Sequence, residues 1–524
     1  MNPTEQKLDQ IFHLWQQGLC PGGQVLVSHR GKVIYDKCFG YANLEHQVPI
    51  TQDTVFHVAS VSKQITVLCA LLLWEEGKLD IQADIRQYVG DLVAFSEPVT
   101  VYQLMHNISG IRDQWELLMM QGVRIDDTIT MEDLKRAIAK QRALNFAPGS
   151  EYLYSNSNFT LLAEMVERIT GETLHQFAKR RIFDPLGMGH TCIKEHFSQI
   201  IPGRAYSYDD NGEGGFCYHP INFAAYGATS LHTTAHDMMR VLENYGAPKV
   251  GKPETIEAMM ERPILADGSQ SIYGGGLMLG EYKGQPYLEH GGVDAGYRAH
   301  VMRLPKEDLN IVILCNTQNT IPALAARRIA DVVLDLPEQP AEHEAYRREE
   351  VDAAQAAGLY LADLPWAALV RVEMGKSGLT LGAGPGAPAL LPLGGNCYQV
   401  GYLPDRLYLG RQPAAYQMGA NLMELRKLDT GLESTERLLD YEGTYGSAEL
   451  DTHYHILEEE GALYAVHARY GRCRLYACGT DRYVVQMEHL TVILTFLRGS
   501  GNQVIGFAMD GGRVRHMGFT KLDG

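Results

Sequence analysis

Three groups of residues in this chain have types and spacings suited to chemistry. Ser60-Val-Ser-Lys63 sets a hydroxyl and an amine three residues apart, which places both on one face of a helix. A serine hydroxyl is a weak nucleophile until a base takes its proton, and a lysine is that base only when burial lowers its pKa. Burial is the expectation here, because the run after Lys63 is apolar and carries no charge until Glu75. The alternative is that Ser60 caps a core helix while Lys63 points to water. Tyr154-Ser-Asn156 lies in a turn feeding a helical stretch. A phenol there can reach into a cleft and an amide can donate to a carbonyl, although both residue types are common in turns. His290-Gly291-Gly292-Val293 leaves a strand-like run; two glycines let backbone approach a ligand, so that a backbone N–H faces a substrate oxygen. The alternative there is a satisfied histidine at a bulge.

The elements that must position these groups follow from pattern. Leu8, Ile11, Phe12 and Trp15 define one face of a helix over 5–18. Runs 24–28 and 32–36 flank His29-Arg-Gly31, a hairpin signature. Short helices are expected at 101–106 and 131–143, and an amphipathic one at 159–170, closed by Gly171. Thr234 with Asp237 resembles a capping box, which gives His236-Asp237 a structural reading rather than a metal one. Runs 287–297, 299–303 and 309–316 read as neighbouring antiparallel strands, followed by a helix over 322–334. Asp335–His343 is an acidic, proline-bearing linker. Beyond it, short alternating runs with glycine turns dominate, and Gly358-Leu-Tyr360 recurs as Gly443-Thr-Tyr445, 85 residues on. This faint repeat implies two related small antiparallel barrels. Gly382–Gly386 contains Pro385 and precedes no helix, so it reads as a hairpin and not a phosphate loop. His453 and His455 have strand spacing and read as exposed.

Composition excludes some classes. The 524 residues are 45% hydrophobic and 21% charged, ordinary for a globular enzyme. A net charge of −17 argues against a nucleic-acid partner. No signal peptide is expected from the first residues, and no apolar run is long enough to span a bilayer. Nine cysteines without ligand or disulfide-framework spacing fit free thiols in a reducing cytoplasm, with no metal site.

The order Ser60-x-x-Lys63, Tyr154-x-Asn156, His290-x-Gly292 resembles the serine β-lactamase/penicillin-binding-protein superfamily, in the branch of class C enzymes and their esterase and peptidase relatives. That family carries Lys-Thr-Gly in the third place; His-x-Gly is the form seen in its D-aminopeptidase members. Ser109-Gly-Ile-Arg-Asp113, Pro148-Gly-Ser150 and the overall length extend the likeness. The resemblance implies an α+β fold: a β-lactamase-like domain at 1–336, with an antiparallel sheet flanked by helices and an all-helical part, then lipocalin-like barrels at 345–430 and 437–524. It implies Ser60 as acylated nucleophile, Lys63 as its base, Tyr154 as proton relay and Asn156 as substrate-positioning amide. His290 would stand in the place of a cationic lysine, beside Gly291 and Gly292. The N–H groups of Ser60 and Val293 would form an oxyanion hole, and no cofactor is needed. A neutral histidine holds a substrate carboxylate poorly, so poor β-lactamase and carboxypeptidase activity is expected. The expected activity is cleavage of amides or esters of short D-amino-acid compounds, on a small-molecule or short-peptide substrate, with a homodimer as the admissible assembly. A loop of the last barrel, Tyr483–Leu490, would select a free amine, with Glu488 either receiving the ammonium or standing as a solvated turn carboxylate. A carboxylesterase, a weak β-lactamase and a non-catalytic sensor retaining the fold are the alternatives.

Overall fold

Arg30 and Gly31 both have positive φ (53° and 71°) and close a two-residue hairpin between β1 (Gly23–His29) and β2 (Lys32–Phe39), the turn class whose twist matches that of the strands. The computed structural model describes residues 3–211, 213–337, 352–362, 368–375, 378–382, 389–400, 406–409, 414–418, 421–428, 435–488 and 490–522. The chain forms two compact units, Met1–Gln114 with Asp126–Glu338, and Trp115–Ile125 with Gln339–Gly524. The linker expected at 335–343 and the hairpin at Gly382–Gly386 lie largely outside the described residues.

The first unit is built on a six-stranded antiparallel sheet. Besides the hairpin it contains β6 (Met278–Tyr282), β7 (Gln285–Asp294), β8 (Tyr297–Leu304) and β9 (Leu309–Cys315), in the order β6-β7-β8-β9-β1-β2. A smaller sheet holds β3 (Phe56–His57), β4 (Cys192–Ile193) and β5 (Leu231–Thr233), with β5 in the middle. Side chains alternate between the faces of the large sheet. Val25, Val27, Ile311 and Ile313 join Leu8, Phe12 and Trp15 from the N-terminal α1 (Pro3–Ile11) and its continuation. Leu26, Val312 and Leu314 face the other way, into a core with α2 (Lys63–Glu75). Helix α2 is buried without a break from Lys63 to Leu73, as expected for a helix that is apolar all round.

Helix α6 (Asn156–Thr170) packs on α2 and is flanked in turn by the short α3 (Val101–Met105) and by α5 (Met131–Ala139), while α7 (Ala235–Gly246) and α8 (Pro322–Leu334) cover the sheet. Between α3 and α5 runs α4 (Gln114–Gln121). Two expectations shift in detail. The N-terminal helix ends at Ile11 and passes into a 3₁₀ turn at His13–Gln16. Helix α6 begins at Asn156 rather than Phe159, because the Asp113 carboxylate accepts from the Asn156 N–H (2.7 Å), a free donor at a helix start.

The second unit holds two eight-stranded antiparallel arrangements. Strands between Gly358 and Lys427 form one sheet, whose edge strands are joined by a bridge between Thr380 and Ala389. Strands between Gly443 and Lys521 close into a barrel, its first strand paired with its last (Gly446 with Thr520). The repeat is visible side chain by side chain. Tyr360 donates to the Ala356 carbonyl (2.8 Å) and Tyr445 to the Tyr441 carbonyl (2.7 Å). Gly358 and Gly443 share a positive φ (150° and 146°), which favours glycine, and the Lys427 and Lys521 stems each pass 2.6 Å from where a β-carbon on these glycines would sit. Helix α4 belongs with this unit: Tyr454 donates to the Met120 carbonyl (2.8 Å), and Tyr470 to those of Met119 (2.7 Å) and Val123 (3.0 Å).

Candidate active site

Ser60 sits in a 3₁₀ turn, Ala59–Ser62, between β3 and α2. Ala59 has φ 48°, a left-handed conformation that costs a non-glycine residue roughly 1–2 kcal/mol and persists only where the surroundings impose it. Here β5 imposes it. The Val58 N–H donates to the Leu231 carbonyl (3.0 Å). The Ser62 hydroxyl donates to the Ala59 carbonyl (2.5 Å) and accepts from the Leu231 N–H (3.0 Å). The helix-cap reading of Ser60 is set aside, since α2 begins after Ser62 and has no side-chain cap, and the Ser60 hydroxyl meets Lys63 instead.

Lys63 is 0% exposed. Its Nζ lies 3.0 Å from Ser60 Oγ, 2.8 Å from Asn156 Oδ1 and 2.7 Å from the Ala228 carbonyl oxygen. Two of these oxygens can only accept. They occupy two N–H bonds, which turns a third tetrahedral position of the nitrogen toward Ser60. Asn156 is held in turn: its Nδ2 and its backbone N–H both donate to Asp113 Oδ2, at 2.7 Å each. Asp113 is 0% exposed, so a buried chain of polar contacts runs from Asp113 through Asn156 to Lys63 and Ser60. The Asn156 amide meets Lys63 through its oxygen and Asp113 through its nitrogen. The half-buried Tyr154 ring lies beside the same amine, its centroid 4.8 Å from Lys63 Nζ. Buried side chains fix the turn that carries it. Asn107 Oδ1 accepts from the Ser155 N–H (3.0 Å) and from Asn158 Nδ2 (2.9 Å), and Ser109 donates to Asn158 (2.7 Å).

His290 stands on β7 beneath Tyr154, the ring centroids 6.2 Å apart. Its Nδ1 lies 2.7 Å from the Gly291 carbonyl and its Nε2 2.9 Å from the Tyr273 hydroxyl. A carbonyl only accepts, so Nδ1 carries the proton and Tyr273 donates to Nε2. Burial, reinforced by the Lys63 charge, pushes the His290 pKa down to about 3. The imidazole is thus neutral, both nitrogens engaged inside the protein. Gly291 to Val293 continue along the segment of β7 that pairs with β8 but lies beyond the pairing with β6. Gly292 touches the Ser60 turn: a β-carbon there would sit 2.1 Å from the Val58 carbonyl oxygen. Val293 follows, its side chain 62% exposed.

Ser60, Lys63, Tyr154, Asn156 and His290 to Val293 therefore converge within the first unit. Glu488 lies in the second, at a hairpin tip, ion-paired with Arg124 (3.0 Å). The sequence did not single out the part played by Asp113, the Ala228 carbonyl or Tyr273. Asp113 closes the Ser109–Asp113 stretch and Tyr273 precedes Gly274-Gly-Gly276. A β-carbon on the last of these glycines would press on the Lys63 carbonyl (2.9 Å). Among the described residues, no group of three His, Cys, Asp or Glu side chains is placed to hold a metal ion.

The sequence matches the beta-lactamase family over residues 9–334. The chain belongs to that family. With its serine–lysine pair assembled, it is a serine hydrolase. It is 29% identical over 323 residues to a D-aminopeptidase of Gluconobacter oxydans, a match covering 61% of this chain and 60% of that one. A D-aminopeptidase of Brucella anthropi is 24% identical over 527 residues, with 96% and 95% covered. Among solved structures, the octameric penicillin-binding protein homologue from Pyrococcus abyssi superposes with TM-score 0.58 at 20% identity, over 93% of this chain and 99% of that one. The D-amino acid amidase from Ochrobactrum anthropi gives 0.53 at 20%, over 64% and 98%. At these identities the solved structures attest the fold.

Proposed function

We propose that this beta-lactamase-family hydrolase cleaves amide bonds of short D-amino-acid compounds through an acyl-enzyme on Ser60, as a D-aminopeptidase or D-amino-acid amidase. The observation that carries the reading is the 3.0 Å contact of Lys63 Nζ with Ser60 Oγ, with two further hydrogen bonds of the amine directed to the carbonyl oxygens of Asn156 and Ala228. Lys63 takes the hydroxyl proton while Ser60 Oγ attacks the substrate carbonyl. The N–H groups of Ser60 and Val293 receive the oxyanion, each such donor contributing roughly 3 kcal/mol. Tyr154 passes the proton to the leaving amine and then helps activate the water that frees the acyl group. Asn156 is proposed to orient the substrate amide as well as hold Lys63.

The neutral His290 supports the choice of substrate. It offers no charge to a carboxylate of the kind carried by penicillins and cell-wall peptides, so compounds lacking that group are favoured. The names of the two D-aminopeptidase relatives point the same way. Glu488 is proposed as acceptor of the substrate's free amine; trimming residues 486–489 tests this, because an unchanged preference for a free over an acylated amine removes it from the site. All nine cysteines are free thiols, which supports a cytoplasmic protein, and among the described residues no helix is long and apolar enough to cross a membrane. A homodimer is the proposed assembly, to be checked by light scattering.

A serine-reactive phosphonate should label the protein, and Ser60→Ala should lose the label. A panel of D- and L-amino-acid p-nitroanilides and short acyl esters then gives the specificity. Faster turnover of the esters makes it a carboxylesterase, and benzylpenicillin turnover matching that of the amides contradicts the role given to His290.

A further inference from the structure

Behind the Ser60 turn, on the side of β5, the first unit holds a cavity of about 150 Å³ between the hairpin Tyr208–Asp210/Phe216–Tyr218 and the strands β5 and β8. That is space for about five waters or one small aromatic acid. Arg204 lines it, together with Tyr206, Tyr218, His232 and Tyr297. The Arg204 guanidinium has no hydrogen bond or ion pair among the described residues. Next to it, Lys194 is 1% exposed, and its ammonium has one long contact, 3.4 Å, to the carbonyl of Ile221, itself a lining residue. Burial, then the Arg204 charge, lowers the Lys194 pKa to about 8.

Three carboxylates lie near, and all are already engaged; Glu45 accepts from the Tyr208 hydroxyl (2.8 Å). Asp294 is taken by His57 (2.8 Å) and by the Thr229 hydroxyl, and Asp209 by His219. A buried ammonium beside an unpaired guanidinium is costly unless an anion compensates it. Buried polar groups in native proteins are almost always satisfied. The walls say which anion. The Tyr206 and Tyr218 rings lie 5.2 Å apart, inclined at 36° to one another, and are 37% and 47% exposed, two ring faces beside the charge.

We propose that this cavity is a binding site for a small aromatic carboxylate, held by Arg204 and Lys194 through its carboxylate and by Tyr206 and Tyr218 through its ring. The site stands apart from the Ser60–Lys63 cluster but is one ring removed from it. The rings of His232 and Tyr297 lie 4.9 and 5.6 Å from that of His57, three residues before Ser60.

Isothermal titration of the full-length protein with benzoate tests the proposal, with benzamide as the uncharged equivalent and inorganic phosphate as a compact anion. Benzoate should bind saturably and more tightly than phosphate, and benzamide should bind at least tenfold more weakly. Arg204→Gln should weaken benzoate at least tenfold. Tyr218→Ala, at a ring already half in water, should weaken benzoate more than phosphate while leaving the fold intact. Absence of benzoate binding overturns the proposal, as do benzamide binding equally well or benzoate affinity unchanged in Arg204→Gln. Phosphate binding as tightly as benzoate overturns the aromatic preference.

Discussion

Gly292 has no room for a side chain, because its missing β-carbon would lie 2.1 Å from the Val58 carbonyl oxygen, and that oxygen belongs to the turn presenting Ser60. Gly292→Ala must push β7 away from the turn, and displacements of this order cost about a hundredfold in rate when they misalign reacting groups. The expected outcome is a kcat/KM at least 100-fold lower with thermal unfolding little changed; a variant retaining more than a third of wild-type activity removes the segment from the site. Asp113 acts at one remove. Asp113→Asn keeps its shape but replaces a charged acceptor for two Asn156 N–H groups. Hydrogen bonds to charged groups contribute about 1.5–3 kcal/mol against about 1 for neutral pairs. Asn156 then holds Lys63 less firmly, and kcat should fall about tenfold, with an altered pH profile and little change in KM. A loss confined to stability, with the pH profile intact, makes Asp113 structural only.

At the scale of elements, β7 carries a titration that the fold must suppress. The unfolded chain protonates His290 near its ordinary value of about 6.5, whereas the folded protein holds it neutral down to about 3. Between these values the unfolded state binds more protons, so stability falls as pH falls, by about 2 kcal/mol at pH 5 for one such histidine. His106 at the end of α3 behaves alike, lowered by burial to about 4. His290→Gln should lose roughly 2 kcal/mol less than wild type between pH 7 and pH 5 in urea unfolding, and equal slopes would mean that the ring is solvated. These elements were legible in the sequence to different degrees. The β1–β2 hairpin, α2, α6 and the three strands of β7 to β9 follow from periodicity and turn residues, which are local. Ser60-x-x-Lys63 was legible because helix geometry alone brings the two together. The Ala228 carbonyl was not, since a backbone oxygen 165 residues away leaves no mark in residue type. The left-handed Ala59 was hidden for a related reason: β5 imposes that conformation, and alanine gives no hint of it. Tyr273 was passed over because its partner, His290, has a polar ring whose engagement depends on burial.

At the scale of the molecule, the second unit contains eleven residues that the sequence places in the middle of the first, Trp115–Ile125. Helix patterning does not say which core a helix joins. Within the second unit, Leu117, Leu118 and Met120 are buried, and Tyr454 and Tyr470 donate to three backbone carbonyls of the segment. The Arg513 N–H donates to Glu116 (2.6 Å), and Arg124 pairs with Glu488. Only Gln114 separates this segment from Asp113, the residue that holds Asn156. A chain ending at residue 337 retains every catalytic candidate of the first unit yet strips α4 of these partners, exposing three large apolar side chains worth about 1.5–3 kcal/mol each on burial. It should aggregate or elute as a soluble oligomer on size exclusion, with specific activity reduced at least tenfold. The gentler double variant Tyr454→Phe/Tyr470→Phe removes three hydrogen bonds at about 1 kcal/mol each and should lower the unfolding free energy by roughly 2–3 kcal/mol with the barrel's strand content intact by circular dichroism. A monodisperse, fully active chain of 337 residues would show that the segment folds without the barrel, and that the division of the molecule at Gln114 and Asp126 has no energetic meaning.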